Sequence, residues 1–328
     1  VNLLEPGKNP HENKMFLLVL ACILKAVDEH ADLLRVSAAD VGNDQRLGGN
    51  EAPPAVISVF LGDQLEDVLD QILKNGEATH SIKGEKFATG VATLPDFRKD
   101  ATDRNRTSPF AFTGNKFEFR MLGSQDSLSN CNVVLNTIAA EAFEEACDRL
   151  EKAEDFDKEL NALIVEYTEK HKRIIFSGNG YSKEWQEEAQ RRGLPNLPTM
   201  VDAIPALTTD ASIEMFEHFK VFTKAELSAR AEIQYEIYAK AINIEARTMI
   251  DMATKQIIPA VVKYTTVLAE SVNQVRTAGR NYNVSVQERL LEKTSALLAE
   301  SYEALNHLAE VTEEIEKKEE GPERARYC

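Results

Sequence analysis

From Met15 to Val27 the chain is almost continuously apolar, interrupted by Lys25, and this run predicts a helix buried in the core. Asn9-Pro10-His11-Glu12 ahead of it reads as a helix start: Asn9 as N-cap, Pro10 at N1, and Glu12 at N3 closing a capping box, with His11 on the first-turn surface. The helix is expected to reach about His30. Gly42 to Pro54 is rich in Gly and Asn and predicts a loop that brings backbone close to a ligand. Ala55 to Leu61 is a short apolar run suited to a buried strand, followed by a helix that Asp63 caps and that ends near Lys74. Residues 76–116 read as an irregular polar stretch with short strands, Glu85 to Thr93 among them, and long stretches of this kind are often functional. Asn130 is expected to begin a helix reaching about Lys152.

Beyond Asp155 nearly everything is helical in pattern, punctuated by Ser177-Gly178-Asn179-Gly180 and Gly193-Leu194-Pro195-Asn196-Leu197-Pro198. Two long blocks follow, Lys224 to Ala278 and Val284 to Lys317, on either side of the turn Gly279-Arg280-Asn281-Tyr282-Asn283. Their apolar residues recur at three- and four-residue steps, as in Leu290, Leu291, Leu297, Leu298, Leu305 and Leu308. Long antiparallel helices packed through such stripes are the expected architecture, with a kink at Pro259. Residues from about 200 to 317 are expected to hold little strand and no catalytic group. The acidic run Glu313 to Glu320 reads as a solvated face. The change of character divides the chain into an α+β region, residues 1–153, and a mainly α-helical region, residues 154–328.

Length and charge narrow the classes. At 328 residues the chain fits one large or two modest domains. Its net charge of −16 argues against nucleic acid, whose phosphates call for a basic surface. The run at Met15 is too short to span a bilayer, and no signal peptide is visible, so a cytoplasmic protein without a membrane is expected. With no initiating Met and an abrupt end at Arg326-Tyr327-Cys328, the chain reads as an excerpt of something longer. Cys22, Cys131, Cys147 and Cys328 lack metal-like spacing. Three sit in apolar helical patterns, as small core residues of a reducing compartment do.

The candidate chemistry lies between Asp44 and Arg120. Arg46-Leu47-Gly48-Gly49-Asn50-Glu51, Arg104-Asn105-Arg106-Thr107-Ser108 and Lys116-Phe117-Glu118-Phe119-Arg120 each set cations around a carboxylate or beside glycines. That equipment suits phosphate, a metal ion and an acidic substrate. If the last segment is a strand, Lys116, Glu118 and Arg120 share one face at roughly 6.6–6.8 Å spacing, while Phe117, Phe119 and Met121 face the core. Such a row is expensive to desolvate unless charge sits opposite. Cross-strand ion pairs on a solvated face and a ligand site are both open on this pattern.

These three motifs, in this order and with Asn43-Asp44-Gln45 before and Ala52-Pro53-Pro54 after the first, resemble glutamine synthetase, and more closely its long type III class. The likeness runs from residue 1 to about 150, and the helical remainder is similar to the C-terminal region of that class. The resemblance implies half of a curved, mainly antiparallel catalytic sheet domain with helices, followed by the helical region. It implies a parent that joins glutamate and ammonia with ATP through γ-glutamyl phosphate, using two divalent ions, Mg²⁺ or Mn²⁺. Glu51 matches the flap glutamate that attracts ammonium and shields the intermediate from water. Arg46 matches the arginine holding the glutamate carboxylate, and Arg120 one near substrate carboxylate and phosphate. Arg106 matches the arginine neutralising the transferring phosphoryl group. Lys116 and Arg104 correspond to nucleotide-binding positions, Arg104 being open equally to a structural ion pair. Glu118 matches a metal-ligating glutamate.

The chain departs from the shorter members at Ser108-Pro109-Phe110-Ala111, where a further cation is absent. The family's other metal ligands lie upstream of the motifs present here, so the excerpt alone is expected to be inactive. The resemblance also implies a homo-oligomeric ring. Two other readings stand beside it: a γ-glutamyl-amine ligase of the same superfamily, and a non-catalytic helical assembly or regulatory protein that keeps vestiges of the site.

Overall fold

The computed structural model describes residues 2–49, 52–82, 86–87, 97–98, 107–124, 126–279 and 281–328. They fall into two compact units, Val1–Ala231 and Glu232–Cys328. In the first unit Asn13, not Asn9, caps the long apolar helix. Pro10–Glu12 closes only a single 3₁₀ turn, in which the Asn9 side chain bonds Glu12 at 2.9 Å and no backbone amide. The Asn13 side chain then accepts from the Phe16 amide and opens α1 (Lys14–Glu29). Leu20, Cys22 and Leu24 have no exposed surface. Burying each such aliphatic side chain stabilises the fold by roughly 1.5–3 kcal/mol.

After α2 (Ala31–Ser37), the stretch expected to be a loop is in part helical. Asp40 accepts from the Gly42 amide and starts α3 (Val41–Arg46). The run Ala55 to Leu61 is buried throughout, but only β1 (Val59–Phe60) pairs as strand. Gly62, at φ +85°, takes the N-cap position of α4 (Asp63–Asn75), so Asp63 lies in the first turn and caps nothing. β2 (Lys86–Phe87) and β3 (Phe97–Arg98) form a separate antiparallel pair. β4 (Phe110–Phe112) is parallel to β1 and antiparallel to β5 (Phe117–Phe119), giving a three-stranded mixed sheet in the order β1-β4-β5. Two of the three described strand pairs are thus antiparallel.

α1 meets this sheet at Phe16, whose ring centroid lies 5.9 Å from that of Phe112. α5 (Leu128–Glu151), capped by Ser127, and α6 (Phe156–His171), capped by Asp155, pack on α1. The one polar stripe of α1 is met in place: Lys25 bonds Glu29 and, at 2.9 Å, Glu145 of α5, while buried Asp28 accepts from His171 and Arg173 at 2.8 Å each. The unit continues through α7 (Lys183–Arg191), α8 (Met200–Ala203) and α9 (Asp210–His218). Cys22 and Cys131 are buried and Cys147 is exposed, all as free thiols, which corrects the core placement of Cys147. Burial pushes the Cys22 thiol up to about 12.

α10 (Lys224–Met252) runs on into the second unit. There residues Ala253–Ile257 widen to a π turn directly before α11 (Ile258–Ala278). Pro259 lacks an amide hydrogen and its ring crowds the carbonyl four residues back, and a locally wider turn accommodates both. Arg276 pairs with Glu288 next to the turn at Gly279, so α11 and α12 (Ser285–Glu316) form an antiparallel hairpin. The chain closes with α13 (Pro322–Tyr327), whose Tyr327 hydroxyl bonds Glu314 at 2.7 Å. Among the described residues no strand lies between 200 and 317, as the periodicity predicts, and no helix is long and apolar enough to cross a membrane.

Candidate functional site

The alternation at residues 116–120 sorts aromatic from charged side chains, but of the three residues expected in the core only Met121 is buried, Phe117 and Phe119 being half-buried. Phe117 packs on Phe110 and Phe112, with ring centroids at 4.9 and 5.3 Å, and Phe119 lies 6.1 Å from Phe110. That pins one face of β5 to β4. The opposite face carries the charges. Glu118 accepts from Arg120 at 2.9 and 3.2 Å and from the Thr113 hydroxyl at 3.2 Å, and Lys116 stands 3.7 Å from it. Glu118 and Arg120 are half-buried, while Lys116 is exposed. The hydrogen bond from Arg120, with smaller help from Thr113 and Lys116, holds the Glu118 carboxyl below the usual carboxylate range.

A carboxyl whose folded value is depressed contributes stability at neutral pH, which is lost as pH falls from the ordinary value near 4.5 through the lower folded one. Arg120→Ala is therefore expected to raise the Glu118 titration midpoint toward that ordinary value, read by carboxyl ¹³C NMR. An unchanged midpoint would mean the Arg120 contact does not persist in solution.

Arg46 reaches the same corner from 74 positions away. α3 carries Asn43, buried, whose side chain donates to Ala38 O at 2.7 Å and Met121 O at 2.8 Å. Arg46, one turn later, donates to Asn43 Oδ1 at 3.0 Å and to Met121 O at 3.1 Å. Met121 directly follows Arg120, so Arg46 is anchored on the backbone one residue beyond Arg120, at the end of β5. Asp126 sits beside them, accepting from the Gly123 amide at 2.7 Å. Its carboxyl is pushed up, chiefly by burial and secondarily by Asp40, against the opposing pull of Arg46 and the Gly123 amide.

Glu51, Arg104 and Arg106 lie outside the described residues; Gly48, Gly49 and Ala52 near Glu51 and Thr107 after Arg106 lie within them. Leu47 and Ala52 bridge to each other, and the Gly48 amide donates to Ala52 O at 3.1 Å. Gly48 needs its φ of +79°, and a Cβ on Gly49 would lie 2.4 Å from Gln45 O. The first motif therefore demands both glycines. Thr107, next to Arg106, is held by the turn at residues 177–180. Its hydroxyl donates to Gly178 O at 3.3 Å and accepts from the Gly180 amide at 3.0 Å. A Cβ at Gly180 would sit 2.4 Å from Thr107 O. That turn reads in the sequence only as punctuation, and its paired glycines are the sole signal of a close approach. Asn43, Thr113 and Asp126 are likewise additions that the linear motifs do not single out.

Glu118 offers one hard oxygen donor, already shared with two cations. Among the described residues no group of three or more His, Cys, Asp and Glu side chains gathers that could hold a metal ion. They do not make a metal site by themselves.

The first unit is thus an α+β unit with a Lys-Glu-Arg strand face, an arginine anchored at its end and a double-glycine loop. Residues 159–276 match the glutamine synthetase C-terminal domain family. The chain is 43% identical over 277 residues to the type-3 glutamine synthetase of Dictyostelium discoideum, covering 84% of this chain and 38% of that protein. It is 40% identical to the glutamine synthetase of Butyrivibrio fibrisolvens, covering all of this chain and 47% of that protein, and 38% identical to that of Bacteroides fragilis, covering 84% and 39%. The chain belongs to the glutamine synthetase family. It spans less than half the length of these relatives.

Proposed function

We propose that the protein carrying this chain is a glutamate–ammonia ligase, which uses ATP to form γ-glutamyl phosphate and then glutamine. The observation that supports this best is that Arg46 is anchored on the Met121 carbonyl, one residue beyond Arg120, with Glu118 in contact with Arg120. Two arginines held at the same strand end suit a substrate with two carboxylates and a phosphoryl group to be transferred. In this reading Arg46 and Arg120 bind glutamate, Arg106 offsets charge on the transferring phosphoryl group, and Lys116 and Arg104 serve the nucleotide. Glu51 handles the ammonium proton. Glu118 is one ligand of a divalent ion, Mg²⁺ or Mn²⁺, whose remaining ligands come from outside the described residues. When bound, that ion supplies charge neutralisation between nucleotide and glutamate. The reading includes a cytoplasmic homo-oligomer whose catalytic domain ends near residue 153 and whose helical region starts near residue 154.

The test uses the full-length protein with glutamate, ATP, magnesium and either ammonium or ethylamine, following glutamine, its ethyl amide and ADP. Ammonium is expected to give glutamine with matching ADP release. Preference for ethylamine would move the assignment to a γ-glutamyl-amine ligase, and no turnover with either would overturn it. Glu118→Ala is expected to abolish hydroxylamine trapping of the acyl phosphate. Trapping at the normal rate would remove Glu118 from the site.

A further inference from the structure

Away from that corner, a cleft of about 410 Å³ lies between α4 and the end of α6 with the turn that follows it. Its volume falls in the range of small-molecule sites. One wall is acidic: Glu66 and Asp70, one helical turn apart on α4, both face it. The other wall is basic, with Lys172 and Arg173 after α6 and Arg192 after α7. Opposite charges facing each other normally pair, yet among the described residues no ion pair crosses this cleft. Most of these groups are held by other partners instead. Asp70 pairs with Lys74 at 3.5 Å, Glu66 accepts from Ser177, Arg173 bonds Asp28 at 2.8 Å, and Arg192 bonds Glu188 at 2.7 Å.

Two groups are left for a ligand. Lys172, exposed at the rim, has no partner among the described residues. Glu66 has Ser177 but no cation, and burial, with Asp63 and Asp70 adding to it, pushes its carboxyl up against the Ser177 bond. Thr168 closes the floor of the cleft with no exposed surface, so it bounds the site without offering its hydroxyl to a ligand.

We propose that this cleft binds a small zwitterion, a free α-amino acid, with its ammonium on the Glu66–Asp70 wall and its carboxylate toward Lys172, Arg173 and Arg192. A purely anionic ligand leaves the acidic wall facing like charge, and a purely cationic one does the same at the basic wall. Only a molecule bearing both charges satisfies the two walls together. The site is separate from the Arg46–Arg120 corner and does not depend on the ligase reading.

Isothermal titration of the purified chain with a panel of free amino acids, and with the matched amines and carboxylates that each lack one charge, tests the assignment. At least one amino acid is expected to bind saturably, with both of its one-charge analogues weaker by tenfold or more. Lys172→Glu and Glu66→Gln are each expected to weaken it tenfold or more without moving the melting temperature of the unliganded chain. Both changes are mild, since Lys172 is at the surface and Gln can still accept from Ser177. Arg120→Ala is expected to leave binding unchanged, which separates this cleft from the candidate catalytic corner. Absence of saturable binding across the panel overturns the proposal. So does equal binding of either analogue, insensitivity to the two cleft variants, or loss of binding in Arg120→Ala.

Discussion

Replacing Glu51 with alanine in the full-length protein is expected to cut glutamine formation by about 10²–10⁴-fold, the usual worth of a positioned acid–base group. ATP and glutamate binding should survive, because Arg46, Arg106 and Glu118 are untouched. The acyl phosphate should still form, and hydroxylamine should still trap it. What is lost is the second half of the reaction: without a carboxylate to draw in ammonium and take its proton, water captures the intermediate. ADP release should then continue while glutamine does not appear. The flanks of the loop support this as well as the motif. The Leu47–Ala52 bridge and the tight backbone at Gly48 and Gly49 close a short loop on a buried base. Coupled, normal-rate glutamine synthesis by Glu51→Ala would show that the carboxylate is only a surface group. Glu118→Ala separates the two steps from the other side, since it is expected to fail before the acyl phosphate forms.

Where one local physical rule governs a segment, the sequence was enough to read it. The apolar block of α1 and the helices of the α11–α12 hairpin form where their periods predict, although Leu290 and Leu297 of the stripe stay exposed; the alternation at residues 116–120 sorts aromatics from charges but leaves Phe117 and Phe119 half-buried. What escaped the linear reading depends on partners far along the chain. A Gly- and Asn-rich stretch looks like loop, yet α3 forms there because Asn43 is buried against the Ala38 and Met121 carbonyls. Asp63 resembles an N-cap, but the backbone of Gly62 is already in that position at a φ of +85°. Of the candidate site, the face shared by Lys116, Glu118 and Arg120 was legible, and so was the candidacy of Arg46. Delivery of Arg46 to Met121, 75 positions away, was not, because it follows from the tertiary placement of α3.

That placement leads to the largest expected effect on stability: Arg35→Met should destabilise the first unit by about 3–5 kcal/mol at neutral pH, the usual loss when one member of a buried ion pair is removed. Arg35 has only 1% of its surface exposed. Its guanidinium donates to Leu197 O at 2.9 Å, Pro198 O at 3.3 Å and Asp44 Oδ1 at 3.4 Å, joining α2, α3 and the approach to α8. Asp44 in turn accepts from the Met200 amide at 2.8 Å. The methionine fills much of the volume but leaves the largely enclosed Asp44, 12% exposed, without its cation and two carbonyls without a donor. The pH dependence has a definite sign. Burial already raises the Asp44 carboxyl above its ordinary value, opposed by the Met200 amide and by Arg35. A raised carboxyl favours the fold below its unfolded pKa, and that gain is lost as pH rises through the folded pKa. Removing Arg35 raises the folded value further, so the gap between variant and parent should narrow as pH falls from 7 toward 5. Urea unfolding followed by the fluorescence of Trp185, the chain's one tryptophan and buried in the first unit, measures it. A loss under about 1 kcal/mol at pH 7, or a gap that widens on acidification, would mean that the Arg35–Asp44 pair does not hold α3, and with it Arg46, in place.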